Sequence, residues 1–460
     1  MVAAIAVPIA LQNLLSTTGS MVDTIMLARL GEKTVGAVGL CAQFSSLMFS
    51  GYWGFLGGGM LFFSQFWGAG DEDGIRHSYG ITFTFIISVG LLFGILALTR
   101  PSFVMHIYTD SEEICAIGEQ YLGVVGFAYP LMTLSMTISA LLRCIERVRI
   151  PLYASIASVF ANCLFNYLLI FGHLGFPRLG VVGAAWGTVI GSAVNVIVLY
   201  IFILINRVPY ITEVREHFRL DLPLLKEYLV KRFPILANER LIGVGNMLIN
   251  IVLGHQADEA IAAVAVFRTL EGLIIGFFAG FSNAASVLVG KEVGAGNHED
   301  AFERAWRIVY FSSTVVVTVC LVLVAVHTPL FTLMGLSGRS LSIATGMIAI
   351  FTVVSWFRLG NWTMNDTYRS AGDSAFGSIM EITFMFLMVQ PVIHLANGFL
   401  HWPFLVVFAL VYCDEPVRYV IMQIHMYSRK WIKPVSDEGR ATIDEFRKKY
   451  GIRVRQREKG

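Results

Sequence analysis

Long apolar stretches alternate with short polar ones along the whole chain. Twelve of these stretches are long enough for a transmembrane helix, which needs about 20 apolar residues to cross a hydrocarbon core of about 30 Å. The pattern therefore predicts an all-α membrane protein with twelve transmembrane helices. We place the spans near residues 1–28, 36–67, 78–99, 115–142, 150–172, 181–205, 228–253, 261–290, 305–327, 342–368, 376–397 and 403–427.

The sequence also contains an internal repeat with an offset of 226 residues. This offset separates Pro8 from Pro234, and it separates the two Gly-Ala-Gly stretches at 68–70 and 294–296. The chain is therefore a tandem of two similar six-helix bundles. Repeated bundles of the same orientation, related by an axis along the membrane normal, are an architecture of secondary transporters.

Six predicted spans precede a polar stretch and six follow it. We divide the chain into an N-terminal six-helix lobe, a cytoplasmic linker, a C-terminal six-helix lobe and a basic cytoplasmic tail. Their bounds are 1–206, 207–227, 228–432 and 433–460. The tail is expected to be solvated or to face lipid headgroups.

Composition and charge agree with a membrane location. Hydrophobic residues make up 56% of the chain and charged residues 14%, which lies outside the usual range of soluble domains. Loops after even-numbered spans carry fourteen lysines and arginines, whereas loops after odd-numbered spans carry five. Because basic loops are retained in the cytoplasm, we expect a multi-pass protein of the cell membrane with both termini cytoplasmic.

Asp23 is an ionisable residue inside the first predicted span. A charge at the centre of a bilayer costs about 2.5–3.5 kcal/mol on insertion scales, so such a residue is a candidate for function. It lies fifteen residues after Pro8, and proline removes a helix hydrogen bond and permits a bend. Pro234 is predicted to bend the equivalent helix of the second half. A carboxylate on a helix of this kind can bind H⁺ or Na⁺ and couple its occupancy to helix shape.

Four features of the sequence carry a family resemblance. They are Pro8 followed by "DTIMLARLG" from Asp23, the run "QFWGAG" that ends at Gly70, the arginine loops at Arg143 and Arg369, and the run "NCLFNYLLIFGHLGFPRLGVVGAAWGT". Together they resemble the multidrug and toxic compound extrusion (MATE) transporters, of the DinF-like prokaryotic branch. The resemblance extends from about residue 5 to residue 432. It implies the MATE, or MOP flippase superfamily, fold of two pseudo-symmetric six-helix lobes.

In that family the aspartate of the first span is the cation-coupling residue. The resemblance implies that Asp23 is supported by Asn162 and Asn166 on the fifth span and by Thr188 on the sixth, with Tyr121 as a further hydrogen-bonding candidate. Asn162 and Asn166 are four residues apart and therefore share one helix face. Asn166 stands where many relatives have aspartate, so the site has one negative charge fewer. The coupling ion is H⁺ or Na⁺, and Na⁺ at Asp23 is the only metal ion expected.

The second half does not repeat this carboxylate, because the repeat offset takes Asp23 to Ile249. It carries other charges inside its predicted spans. Glu239 is a candidate for a second ion site or a counter-charge for a cationic substrate. Arg268 and Glu271 are three residues apart, a spacing that favours a mutually neutralised pair on one helix face.

The function predicted from the sequence is secondary active multidrug efflux, in which amphipathic, often cationic compounds leave in exchange for H⁺ or Na⁺ by alternating access. The alternative is a flippase or exporter of lipid-linked precursors on the same superfamily fold. No Walker motif or clustered histidine motif is present, so we expect neither an enzyme nor an organic cofactor. The expected partners are small organic molecules and membrane lipid, not nucleic acid, and we expect a monomer.

Overall fold

The computed structural model describes residues 2–206, 208–212, 222–254 and 258–452. This part of the chain is composed of helices and the turns that join them, without β-strands. The helices are α1 (Val2–Ala28), α2 (Glu32–Ala69), α3 (Glu72–Thr99), α4 (Pro101–His106), α5 (Glu112–Val125), α6 (Ala128–Cys144), α7 (Arg149–Phe171), α8 (Val181–Ile205), α9 (Pro209–Thr212), α10 (Leu222–Gly254), α11 (Asp258–Gly294), α12 (His298–Ala325), α13 (His327–Leu333), α14 (Gly338–Ser370), α15 (Ser374–Phe399), α16 (Phe404–Leu410), α17 (Asp414–Ser428) and α18 (Asp437–Lys449).

The predicted all-α membrane fold is confirmed. Ten described helices are long and apolar enough to cross a membrane, and α5 with α6 provides an eleventh span. This pair is bent by 51°, whereas the sequence predicted one helix over 115–142. The break consists of Gly126 and Phe127, and Pro130 in the first turn of α6 has no N–H to donate to the preceding turn. The twelfth predicted span, 403–427, is divided between the shorter helices α16 and α17.

Packing divides the chain into two compact units, and the first comprises Val7–Phe63 and Glu72–Leu229. One of its cores is formed by buried residues of α2, α3, α4, α5, α6 and α8, among them Phe44, Leu122 and Tyr129. The helices α7 and α8 also pack closely against each other. Of the predicted linker 207–227, residues 207 and 213–221 lie outside the described residues.

The second unit comprises Val230–Gly460 together with two short segments, Met1–Ala6 and Ser64–Asp71. One of its apolar clusters includes Val293, Tyr368 and Trp431, all completely buried. The predicted lobe bounds, with a linker from 207 to 227, stay a prediction. The last turns of α2 belong to this unit, although the rest of α2 packs in the first.

The two repeated Gly-Ala-Gly stretches meet inside this second unit. A Cβ atom placed on Gly68 would lie 1.9 Å from the carbonyl oxygen of Lys291, and one placed on Gly294 would lie 1.9 Å from the carbonyl oxygen of Gln65. Each stretch then ends its helix at a glycine with positive φ, Gly70 at 73° and Gly296 at 79°. The repeat therefore preserves a close helix contact that leaves no room for a side chain.

The described part of the C-terminal tail packs through one face of α18, while most of its charged side chains are exposed. Ile443 and Phe446 of α18 are buried in the same apolar cluster. The backbone N–H of Val435 donates to Gln65 Oε1 at 2.7 Å, and Ser436 Oγ donates to the carbonyl of Gly294 at 2.7 Å. Apolar side chains on one face of α18 explain this packing, because they gain free energy by leaving water. Residues 453–460 lie outside the described residues.

Candidate cation-coupling site

Asp23 lies near the end of α1, in the first compact unit. The helix continues through Pro8 without interruption, and α10 likewise continues through Pro234. The bends predicted at both prolines stay predictions. The side chain of Asp23 is partly buried, as expected of an ionisable residue within a membrane span, which usually faces the protein interior.

The closest partner of Asp23 is the Asn166 amide on α7. Asn166 Nδ2 donates to Asp23 Oδ1 at 2.6 Å, and Asn166 is 1% exposed. Asn162, one turn earlier on α7, places its Oδ1 3.5 Å from the same nitrogen. The structure thus brings together Asp23, Asn162 and Asn166, as the four-residue spacing on α7 indicates.

Thr188 and Tyr121 form a neighbouring pair. Thr188 Oγ1 donates to the carbonyl of Ala184 at 3.1 Å, and the Thr188 side chain lies next to the Tyr121 hydroxyl. Tyr121 is close enough to Asp23 to interact with its charge. Among the described hydrogen bonds, however, none joins Thr188 or Tyr121 directly to Asp23.

The remaining amide atom of Asn166 faces α8. Asn166 Oδ1 has no hydrogen-bond partner within the described part of the chain, and a Cβ atom placed on Gly187 would lie 1.9 Å from it. The oxygen is therefore turned toward α8 while the nitrogen is turned toward Asp23. In this arrangement Asn166 acts on the carboxylate as a hydrogen-bond donor.

The second unit contains a polar cavity of about 350 Å³. Glu239 and Arg268, two residues selected from the sequence, contribute to its lining. The guanidinium of Arg369 lies 3.5 Å from the carboxylate of Glu239 and 3.6 Å from that of Asp366. Glu239 thus belongs to a cluster of carboxylates around one arginine.

Arg268 and Glu271 are in contact, with 2.6 Å between Arg268 Nη1 and Glu271 Oε2. Glu271 is buried and has two further partners. Arg358 Nη2 lies 3.2 Å from its Oε1, and the Tyr412 hydroxyl donates to the same oxygen at 3.2 Å. The pair is therefore part of a larger network in which one carboxylate interacts with two guanidinium groups.

Sequence reasoning missed several charged residues that line this cavity or contact its lining. Asp366 accepts from Ser282 Oγ at 2.5 Å, and Arg418 lies 2.7 Å from Glu415 and 3.5 Å from Asp414. All four lie inside predicted spans. The criterion that selected Asp23, an ionisable side chain within a span, would therefore have selected them as well. Their partners could not be found in the same way, because contacts between helices do not follow from hydropathy.

Comparison with known proteins identifies the family. The sequence profile of the MatE family matches residues 8–168 and 234–395, so the two matched segments begin at Pro8 and Pro234. The chain belongs to the MATE family of transporters. This match confirms the family resemblance and places one family unit in each half of the repeat.

Among its relatives, an uncharacterized transporter of Bacillus subtilis, YisQ, is 23% identical over 413 residues, which is 89% of this chain and 90% of the relative. A probable multidrug resistance protein of Thermotoga maritima, NorM, is 24% identical over 441 residues, which is 93% of this chain and 92% of the relative. Both cover nearly the full length of this MATE family chain.

Solved structures share the fold. A mutant of the Vibrio cholerae MATE transporter VcmN superposes with a TM-score of 0.82 at 17% identity, covering 94% of this chain and 97% of VcmN. A MOP superfamily transporter from Pyrococcus furiosus superposes with a TM-score of 0.80 at 16% identity, covering 93% and 96%. The twelve-helix MATE fold and a multi-pass membrane location follow for this chain.

Proposed function

We propose that this chain is a proton-coupled exporter of amphipathic, often cationic organic compounds, with Asp23 as the proton-binding residue. Relatives named as probable multidrug resistance proteins support export of organic compounds. The two-fold repeat supports an alternating-access mechanism, because equivalent bundles can expose a binding site to opposite sides of the membrane in turn.

The observation that carries the proposal is the 2.6 Å hydrogen bond from Asn166 Nδ2 to Asp23 Oδ1. A carboxylate in a membrane helix is costly while charged, so it can take up a proton from one side and release it where a polar partner stabilises the charge. Asn166 supplies such a partner. The coupling step is therefore protonation and deprotonation of one carboxyl group.

The same geometry favours H⁺ over Na⁺. Na⁺ requires several oxygen atoms that converge on one point, whereas the atom that Asn166 directs at Asp23 is a nitrogen carrying hydrogen. The Asn166 oxygen faces Gly187, and the Thr188 hydroxyl donates to its own helix. A proton needs only the carboxylate oxygen and is compatible with this arrangement.

The charges of the second unit do not favour the flippase alternative. A flippase of pyrophosphate-linked lipids would need uncompensated basic groups in its cavity. Arg268 and Arg358 both contact Glu271, and Arg369 lies between Glu239 and Asp366. Each of these arginines is already in an ion pair with a carboxylate, so an anion would have to compete with Glu271, Glu239 or Asp366 for its guanidinium.

The proposal includes a location and partners. We infer a location in the cell membrane with both termini in the cytoplasm, on the basis of the excess of lysine and arginine in the loops after even-numbered spans. The chain is proposed to act as a monomer. Its substrates are small organic molecules and its surroundings are lipid. The chain is proposed to transport them unchanged, with H⁺ as the coupling ion and without an enzymatic reaction or a cofactor.

The test is efflux of a fluorescent organic cation from proteoliposomes, with a pH gradient and a Na⁺ gradient imposed separately. Wild type is compared with Asp23→Asn and with Asp110→Asn, a control that removes an exposed carboxylate. We expect the pH gradient to drive efflux by wild type and by the control, and Asp23→Asn to reduce that efflux at least tenfold.

Two results would contradict the proposal in different ways. Efflux driven by the Na⁺ gradient and not by the pH gradient would identify Na⁺, instead of H⁺, as the coupling ion. Equal rates for Asp23→Asn and wild type would exclude Asp23 as the coupling residue, and lipid-linked substrates would then be tested in a flippase assay.

A further inference from the structure

Three glycines of α8 lie against α7 at four-residue intervals. A Cβ atom on Gly183 would lie 2.6 Å from the carbonyl oxygen of Leu169, and one on Gly191 would lie 2.9 Å from Cβ of Asn162. Between them, a Cβ atom on Gly187 would lie 1.9 Å from Asn166 Oδ1. A heavy-atom separation this short is not tolerated, so any side chain at position 187 must displace the Asn166 amide.

Hydrogen bonding fixes only one end of that amide. Asn166 Nδ2 donates to Asp23 at 2.6 Å, while Oδ1 has no hydrogen-bond partner among the described residues although Asn166 is 1% exposed. A buried amide oxygen without a donor costs free energy. Its position is therefore set by the space that α8 leaves open, and this space exists because residue 187 has no side chain.

We propose that Gly187 is a positioning residue for proton coupling. It provides the space that lets Asn166 direct its N–H at Asp23, and it thereby sets the pH at which Asp23 releases its proton. The inference rests on the proposed role of Asp23 and adds a residue to that site which touches neither the proton nor the substrate.

Other groups near Asp23 must be considered in a proposal about pH. In the described part of the chain, the titratable groups that interact with the charge of Asp23 are Tyr121 from α5 and Cys163 from α7. Thr188 of α8 is polar but does not titrate. The three atoms nearest to a Cβ at position 187 all belong to Asn166, so we expect a substitution at Gly187 to act on Asp23 through Asn166.

The test is the pH dependence of carbodiimide labelling of Asp23, measured by mass spectrometry on the purified full-length protein. A hydrophobic carbodiimide reacts with the protonated carboxyl group, so the measurement needs neither a substrate nor a gradient. In Gly187→Ala the carboxylate loses a donor that stabilises its charged form. We expect half-maximal labelling to move upward by about one to two pH units.

A double variant shows whether the effect passes through Asn166. Asn166→Ala removes the donor and should move the profile in the same direction by a similar amount. Alanine at position 166 has no Oδ1 to collide with a Cβ at position 187. Asn166→Ala/Gly187→Ala should therefore match Asn166→Ala alone, since effects that share one interaction are not additive.

Gly183→Ala is the matched control for helix packing. It introduces a collision with the backbone of α7 on the same side of α8, but the three atoms nearest to its Cβ belong to Leu169 and Ile170, so its labelling profile should follow wild type. The proposal is overturned if Gly187→Ala follows wild type, if Gly183→Ala shifts as far as Gly187→Ala, or if the double variant shifts further than Asn166→Ala.

The proposal can be tested even if Gly187→Ala fails to fold. If Gly187→Ala does not accumulate as folded protein, the double variant decides. Recovery of folding with the profile of Asn166→Ala supports the proposal, whereas failure to recover shows that residue 187 collides with something else and overturns it. A wild type without pH-driven efflux, but with the expected labelling shifts, would contradict the transport function and leave the role of Gly187 intact.

Discussion

Asp23, which is partly buried, and Asp373, which is buried, differ in what surrounds them. Asp373 lies in the turn between α14 and α15, outside the membrane-spanning segments, and it is 3% exposed. His425 Nε2 lies 3.0 Å from its Oδ2, and Lys433 Nζ lies 2.9 Å from its Oδ1. Asp23 has one neutral donor, whereas Asp373 has two basic partners. The first arrangement suits a group that exchanges a proton, and the second suits a group that stays charged.

The partners of Asp373 predict how stability depends on pH. Burial by itself would raise the pKa of the Asp373 carboxyl, but the hydrogen bond from His425 and the charge of Lys433 outweigh burial and lower this pKa. Because the pKa is lower in the folded state than in the unfolded state, the stabilisation is present above the unfolded value of about 3.9 and is lost as the pH falls through the folded value.

We therefore expect Asp373→Asn to lower the free energy of unfolding by about 1–3 kcal/mol at pH 7, since it leaves Lys433 without its partner. Thermal melting from pH 7 to pH 3 is the measurement. The difference in Tm should persist down to about pH 5 and narrow below about pH 4. Asp444→Asn is the control, because Asp444 is 67% exposed and its pair with Arg447 is worth little. A difference in Tm that widens below pH 4 would contradict this account.

At the scale of helices, the repeated Gly-Ala-Gly stretches combine two functions of glycine. Gly68 and Gly294 permit the close approach of α2 and α11, whereas Gly70 and Gly296 adopt positive φ at the helix ends. The first function requires the absence of Cβ for steric reasons, and the second requires it for backbone conformation. Each function predicts a different cost for alanine.

We expect Gly68→Ala and Gly294→Ala each to cost about 1–3 kcal/mol of stability, because the new methyl group must push apart two helix backbones. Gly70→Ala meets nothing within 4 Å and should cost about 1–2 kcal/mol through its positive φ alone. Gly36→Ala is the control within the same helix, since its site is open and alanine favours helix. Thermal melting of the four variants tests the expected order of stabilities. A Tm of Gly68→Ala equal to that of Gly36→Ala would contradict the close contact.

At the scale of the whole molecule, the features that could be predicted from the sequence are those that depend on hydropathy and on the internal repeat. The span predicted at 181–205 is α8, and the match of one MatE unit to each half follows the offset between Pro8 and Pro234. These features are local or periodic, so they can be read from one sequence. The Asp23 and Asn166 pair was expected because the family resemblance placed both residues at one site.

What the sequence did not predict depends on contacts between distant segments. Gln65 is completely buried, where its amide binds the carbonyl of Ser370 and the N–H of Val435. No pattern along the chain indicates that these three residues meet. The packed tail has the same origin, because the charges of α18 suggested solvation while two apolar side chains, Ile443 and Phe446, determined its position.

The orientation in the membrane can be tested on the whole molecule. The distribution of lysine and arginine favours a cytoplasmic tail and an external loop between the third and fourth spans. Asp110 in that loop and Lys448 in α18 both have exposed side chains. In a background without the six native cysteines, Asp110→Cys should react with a membrane-impermeant maleimide in intact cells, whereas Lys448→Cys should react only after permeabilisation.

Each position is the control for the other, because both cysteines become accessible once the membrane is opened. The reverse labelling pattern would place the tail outside the cell and would contradict the charge argument. Because the repeat keeps both halves in one orientation, inverting one half would invert the other as well. Labelling of both cysteines in intact cells would mean that the sequence between positions 110 and 448 crosses the membrane an even number of times, and the assignment of twelve spans would then have to be revised.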